Sequence, residues 1–174
     1  MPIWQNKNEP RAVLDQYYLH EIHVKPKTEG LPKLVMIHGY GGGGAVFYKM
    51  MKHLREYFDV YTIDFLGQGM SGRPPYEHKE DFDQTVEYFI ESIRAWMELT
   101  GFSGPDGHKY TLFGHSLGGM FTGYYALKYP ENIEKIYFAS SVGIMATMDF
   151  AKLENFLPSM DSSMARYGAN WMQR

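Results

Sequence analysis

Two rhythms of apolar and polar positions run along the chain. Stretches that are apolar almost throughout recur at LVMIHG (34–39), DVYTIDF (59–65), KYTLFG (109–114) and IEKIYFAS (133–140). Runs of that length without alternation predict strands buried on both faces. An earlier stretch, YYLHEIHVK (17–25), also reads as a strand. Between the strands the spacing turns helical. AVFYKMMKHLREY (45–57) follows a glycine cluster. Residues 81–99 place Phe82, Val86, Phe89, Ile90, Ile93, Trp96 and Met97 on one face, and 117–129 form a helix stopped by Pro130. The connections 25–33, 66–80 and 101–108 are rich in Gly, Pro and charge. Buried strands alternating with helices predict an α/β fold, a mostly parallel sheet with flanking helices.

The pattern also divides the chain. Residues 1–145 read as the core unit. Residues 146–174 are Met-rich and polar by turns with no strand signal, and they read as the start of a helical lid or as an exposed tail.

Composition narrows the function classes. With 174 residues and 44% hydrophobic positions, the chain can bury one sizeable core. The net charge of −3 comes from mixed signs with no basic stripe, so nucleic acid is not an expected partner. The absence of cysteine excludes a disulfide framework and thiol chemistry and agrees with a reducing compartment. The first sixteen residues lack the apolar core of a signal peptide, and no apolar run is long enough to span a bilayer. The expectation is a cytoplasmic protein, with peripheral contact to membranes or lipid droplets left open. No cofactor and no metal site are expected. His20 and His23 stand three apart on a strand, which points their rings to opposite faces.

Chemistry enters at Gly114-His115-Ser116-Leu117-Gly118, a G-x-S-x-G. A buried strand ends at Gly114 and a helix starts just after Ser116, which is the context of a nucleophile elbow. The sharp turn lifts the serine hydroxyl above the strand ends. The helix N-terminus then offers N–H groups to developing negative charge. A serine that merely caps a helix is the plainer alternative. A second element favours the elbow. His38-Gly39-Tyr40-Gly41-Gly42-Gly43-Gly44 follows the strand LVMI, and acyl transfer needs two donors for its oxyanion. Leu117 N–H, just after the nucleophile, is one candidate. Tyr40 N–H is the other, with Gly41 next in line. Gly39, Gly114 and Gly118 are expected to allow close backbone approach.

These pieces, with "VYTIDFLGQGMSGRP", "YTLFGHSLGGMFTGYYALKYPENIEKI" and "FASSVGI", follow the order and spacing of a known family. The chain resembles the α/β-hydrolase-fold superfamily over roughly residues 30–145. Arg73-Pro74 and the glycine-rich loop look most like its subfamily of lysophospholipases, lysophosphatidic acid acyltransferases and lipase co-activators. The resemblance implies Ser116 as catalytic nucleophile, Tyr40 and Leu117 as the oxyanion hole, and His38 as a buttress of the loop. It implies a small-molecule or lipid ester as substrate, used in hydrolysis or acyl transfer. It also implies a triad ordered Ser, acid, His. The chain departs from that order. His20, His23, His38, His53, His78, His108 and His115 all precede Ser116. Asp149, Glu154 and Asp161 follow it without supporting context. The expectation is that acid and histidine lie downstream of residue 174 and that the chain is C-terminally truncated, with IEKIYFAS left as an unprotected, aggregation-prone edge. The alternative is a non-catalytic relative that binds lipid or protein.

Two further motifs are set aside. Gly67-Gln68-Gly69-Met70-Ser71-Gly72 matches G-x-G-x-x-G, but RPPYEHKE follows where dinucleotide binding needs a helix. The loop reads instead as a shaped rim of the site. His78 and Asp83 match H-x-x-x-x-D at the entrance to a helix, where Asp81 or Asp83 is more simply an anion favoured by the helix dipole.

Overall fold

Residues 16–76 and 81–143 are described by the computed structural model. Among them five strands form one sheet in the order β1-β3-β2-β4-β5. The strands are β1 (Glu21–Val24), β2 (Lys33–Ile37), β3 (Asp59–Ile63), β4 (Tyr110–His115) and β5 (Ile133–Ala139). β1 runs antiparallel to β3, and the other neighbours are parallel. The helices are α1 (Tyr48–Leu54), entered through a 3-10 turn at Gly44–Phe47, α2 (Phe82–Leu99) and α3 (Leu117–Lys128).

Strand alternation sends successive apolar residues to opposite faces of the sheet. Leu34, Met36 and Val60 pack under α1 with Phe47 and Met51. Val35, Ile37, Ile63 and Leu112 face the larger layer of α2 and α3, with Ile90, Ile93, Met97, Phe121 and Tyr125. Full burial of each such side chain is worth roughly 1.5–3 kcal/mol. α2 is capped where the chain predicts a first-turn anion: the Asp81 carboxylate accepts the Asp83 N–H at 2.9 Å.

Parallel pairing brings the C-terminal ends of β2, β3 and β4 to one end of the sheet. Ile37 pairs with Ile63 on one side and Gly114 on the other. His115 pairs with Ala139 of β5. The residues that follow those ends are His38, Asp64, Ser116 and Ser140.

Four expectations need correction. β5 is not buried on both faces. It is the sheet's edge among the described residues, and Tyr137 and Phe138 are 51% and 43% exposed because nothing described there packs over them. The first strand is shorter than 17–25 and pairs only over Glu21–Val24. Tyr18 and His20 instead accept from Gly72 N–H and Asp64 N–H, so this approach to β1 holds a loop. The helix expected at 45–57 is a 3-10 turn followed by seven α-helical residues. Phe82 leaves the buried face of α2. It lies in the first turn, ahead of the part that crosses the sheet, and meets the Tyr124 ring edge-on at 6.4 Å. The expected lid or tail at 146–174, Asp149, Glu154, Asp161 and His78 lie outside the described residues.

Candidate active site

Ser116 occupies the one residue between β4 and α3, with φ 54° and ψ −120°. That backbone is strained for a residue with a side chain, as a nucleophile elbow requires. The turn is held from both sides. Ser116 N–H donates to Ala139 O at 3.0 Å, and Ser116 O accepts from Gly119 N–H and Val142 N–H, each at 3.0 Å. Ser140, the residue after β5, also has positive φ, 48°.

The glycine-rich loop meets this elbow directly. A Cβ at Gly39 would stand 3.0 Å from the Ser116 Cβ, and one at Gly118 would overlap the His38 carbonyl oxygen. Both glycines are needed for the contact between loop and elbow. Gly114 packs against the Gly119 backbone of α3. Leu117 leads α3, and the leading amides of a helix have no carbonyl a turn earlier to receive them. Tyr40 is exposed on the loop, and Gly41 has φ +65° with open space around it. The structure therefore brings Ser116, Leu117, Gly118 and the loop from Gly39 to Gly41 to one end of the sheet.

His38 is fully buried, and its hydrogen bonds assign its tautomer. Nδ1–H donates to Gly39 O at 2.7 Å, and Nε2 accepts the Phe65 N–H at 3.2 Å. Burial holds the imidazole below its ordinary range, against the opposing pull of the Gly39 carbonyl and Asp64. The ring is neutral, and its lone pair is already engaged.

The other described histidines are placed elsewhere. His20 Nδ1 donates to Asp64 Oδ2 at 3.1 Å, and His23 Nε2 to Asp59 Oδ1 at 2.7 Å. Each ring has its own carboxylate partner. His53 is exposed on α1, and His108 lies in the loop before β4. His115 is exposed, with Nδ1 3.1 Å from where a Gly39 Cβ would stand. Among the described residues no histidine ring is hydrogen-bonded to the Ser116 hydroxyl.

Sequence reasoning passed over Asp64. This carboxylate is 3% exposed and accepts from Gly44 N–H through Oδ1 and from Met70 N–H through Oδ2 at 2.8 Å. Burial pushes its carboxyl up, but the two backbone donors and His20 outweigh that and leave it below the usual carboxylate range. Gly69, at φ +51°, has no room for a Cβ beside the same carboxylate. The G-x-G-x-x-G loop thus wraps an internal anion. Ser71 Oγ–H ties into it by donating to Asp64 O at 2.6 Å. The available signal was an acidic residue closing an apolar strand, since a buried charge must find partners.

Comparison with known proteins identifies the family and the fold. Residues 32–174 match the family model described as alpha/beta hydrolase fold. The chain is 36% identical over 121 residues to a 1-acylglycerol-3-phosphate O-acyltransferase of Arabidopsis thaliana, an alignment covering 70% of this chain and 28% of the relative. It is 34% identical to a (lyso)-N-acylphosphatidylethanolamine lipase of Mus musculus, over 76% of this chain and 37% of the relative. A probable hydrolytic enzyme from Pseudomonas aeruginosa superposes with TM-score 0.63 at 21% identity, over 78% of this chain and 39% of that one. The chain spans less than half the length of these relatives. A strained serine between strand and helix, pressed against a glycine loop on a mostly parallel sheet, sits within a sequence match over most of the chain, and the chain belongs to the α/β-hydrolase-fold family.

Proposed function

We propose that the protein is a serine hydrolase or acyltransferase acting on carboxylic esters of lipids through an acyl-enzyme. The observation that carries this reading is the Ser116 backbone, φ 54° at the strand–helix turn, with Gly39 of the oxyanion loop packed on its Cβ. The two relatives described above are named for acylated glycerophosphate and N-acylphosphatidylethanolamine, which supports a lipid ester.

Ser116 Oγ attacks the ester carbonyl carbon while a base takes its proton. The carbonyl oxygen becomes an oxyanion that receives Leu117 N–H and Tyr40 N–H. Collapse breaks the bond to the alcohol, which leaves with the proton returned by the base, and the acyl group stays on Ser116. Water then gives hydrolysis, and a lysolipid hydroxyl gives acyl transfer. His38 is excluded as the base because its Nε2 lone pair is held by Phe65 N–H. In this reading the histidine and the acid come from polypeptide beyond residue 174, and contact with a membrane or lipid droplet supplies the substrate. Treating the native-length protein with an activated ester or fluorophosphonate probe is expected to label Ser116, and Ser116→Ala is expected to abolish the label. A folded native-length protein that stays unlabelled overturns the reading.

The alternative reading is a non-catalytic relative. A chain that never gains a base would act as a lipid- or protein-binding module. Lipid binding that persists in the unlabelled protein would establish that reading.

A further inference from the structure

The oxyanion loop raises a physical problem. Residues 39–44 read GYGGGG, with five glycines in six positions. Glycine is the residue with most backbone freedom to lose. An oxyanion donor, by contrast, must be held to within a fraction of an ångström of its working position. Something outside the loop must supply that order.

Two side chains do so, one at each end. At the front, His38 bridges from Gly39 O to Phe65 N–H. At the rear, Asp64 Oδ1 takes the Gly44 N–H. Both bridges end on adjacent residues just past β3, so the loop is pinned at two points to one rigid strand end. Between the pins, Gly42 N–H closes a turn onto Gly39 O at 3.2 Å. Tyr40 is carried inside that turn. Asp64 is fixed in its own right by Met70 N–H and His20 Nδ1–H on Oδ2. His20 N–H donates to Ser71 Oγ at 2.8 Å, and that hydroxyl donates to Asp64 O. A carboxylate that only accepts suits this place, because Gly44, Met70 and His20 all present donors.

We infer that Asp64, together with His38, is a positioning pair that clamps the glycine-rich loop and so sets the Tyr40 N–H for the oxyanion. The inference rests on the acyl-enzyme reading above. Neither residue touches substrate. Asp64 acts through Gly44 N–H, and His38 acts through Gly39 O.

The test uses the native-length protein and a p-nitrophenyl ester, with fluorophosphonate labelling of Ser116 as a second readout. Asp64→Asn keeps the size but replaces one acceptor oxygen by an NH2 that faces donors. The expected result is a kcat lowered about 10- to 100-fold with KM within about two-fold. Labelling slows in parallel in protein that still melts cooperatively. His38→Asn keeps a donor near Gly39 O and loses the tie to Phe65. It is expected to show the same split, and it carries the test if Asp64→Asn does not fold. A merely structural role would lower the melting temperature and leave kcat of the folded fraction unchanged. A folded Asp64→Asn or His38→Asn with wild-type kcat overturns the inference while the wild-type label keeps the acyl-enzyme reading. A wild type that takes no label fails both.

Discussion

The two ends of the parallel strands are built differently. At the C-terminal end buried His38 and Asp64 spend their hydrogen bonds largely on backbone groups, around Ser116 in a strained turn, glycines packed against carbonyls, and Leu117 leading a helix. At the N-terminal end the polar groups are long side chains that satisfy one another. Lys33 Nζ reaches Asp59 Oδ2 at 2.9 Å, Tyr61 OH donates to the same oxygen at 3.1 Å, and His23 takes Oδ1. The Lys33 ammonium also lies 5.2 Å from the Tyr61 ring centre and 5.5 Å from that of Phe102. His23 stacks on Tyr61 with centroids 4.1 Å apart. One end satisfies its charges among side chains. The other sets a strained serine among glycines and backbone groups.

The largest effect expected from breaking this contrast is at Gly118. Gly118→Val drives a side chain into the His38 carbonyl and parts the elbow from the loop. Ser116 labelling in the native-length protein is expected to fall at least about 100-fold, with about 1–3 kcal/mol lost in urea unfolding from overpacking. At the other end, Asp59→Ala removes a carboxylate shared by three partners and leaves Lys33 partly buried without it. The expected loss is about 1–3 kcal/mol of stability with labelling of the folded protein unchanged. If Asp59→Ala slows labelling as strongly as Gly118→Val, the two ends are not separate.

Acid should separate His38 from the carboxylates Asp59 and Asp64 by pH window. His38 is held below its ordinary range chiefly by burial. As pH falls below about 6.5 the unfolded chain takes up a proton that folded His38 refuses, so stability declines there. For Asp59 burial works upward, but His23, Lys33 and Tyr61 outweigh it, and the carboxyl lies below its usual range. Its contribution is present above the unfolded carboxylate pKa, about 4, and is lost as pH falls through the lower folded value. Lys33 is raised despite burial, through Asp59, so its share is lost only as pH climbs through a value above about 10.5. Urea unfolding from pH 3 to 7 should show two acid slopes. His38→Asn is expected to remove the upper one and Asp59→Asn to reduce the lower.

The smallest effect on stability is expected at β5, which runs between the two ends with one free edge among the described residues. The 174-residue chain made by itself is expected to associate through that edge. Tyr137→Lys with Phe138→Lys should shift light scattering toward monomer while moving stability by only about 0.5 kcal/mol. A wild-type chain that is already monodisperse and melts cooperatively would remove the edge argument.

The legible parts of the molecule were those written in neighbouring residues. The elbow announces itself because strand, glycines, serine and helix follow one another. α2 announces itself because its apolar residues recur a turn apart. The central strands read correctly because both of their faces are covered. What stayed hidden depends on distance along the chain. IEKIYFAS, expected at an edge, has the apolar density of a strand covered on both faces, and only the packing leaves Tyr137 and Phe138 exposed. Asp64 reaches back twenty residues to Gly44 and across to His20, and Asp59 gathers His23 and Lys33 from two other strands. No local rhythm records such a meeting. Gly67–Gly72 carries a nucleotide-binding spelling, yet Asp64 fills it from within.

The junction after β5 has a longer consequence. Val142 N–H is bonded to the carbonyl of Ser116, and Ser141 Oγ–H donates to Gly114 O at 3.3 Å. The residues after β5 are therefore tied to the backbone on both sides of the strained turn, at Gly114 and at Ser116. A shift in the path of β5 would be felt at Ser116, so the open edge of the sheet and the serine move as one body.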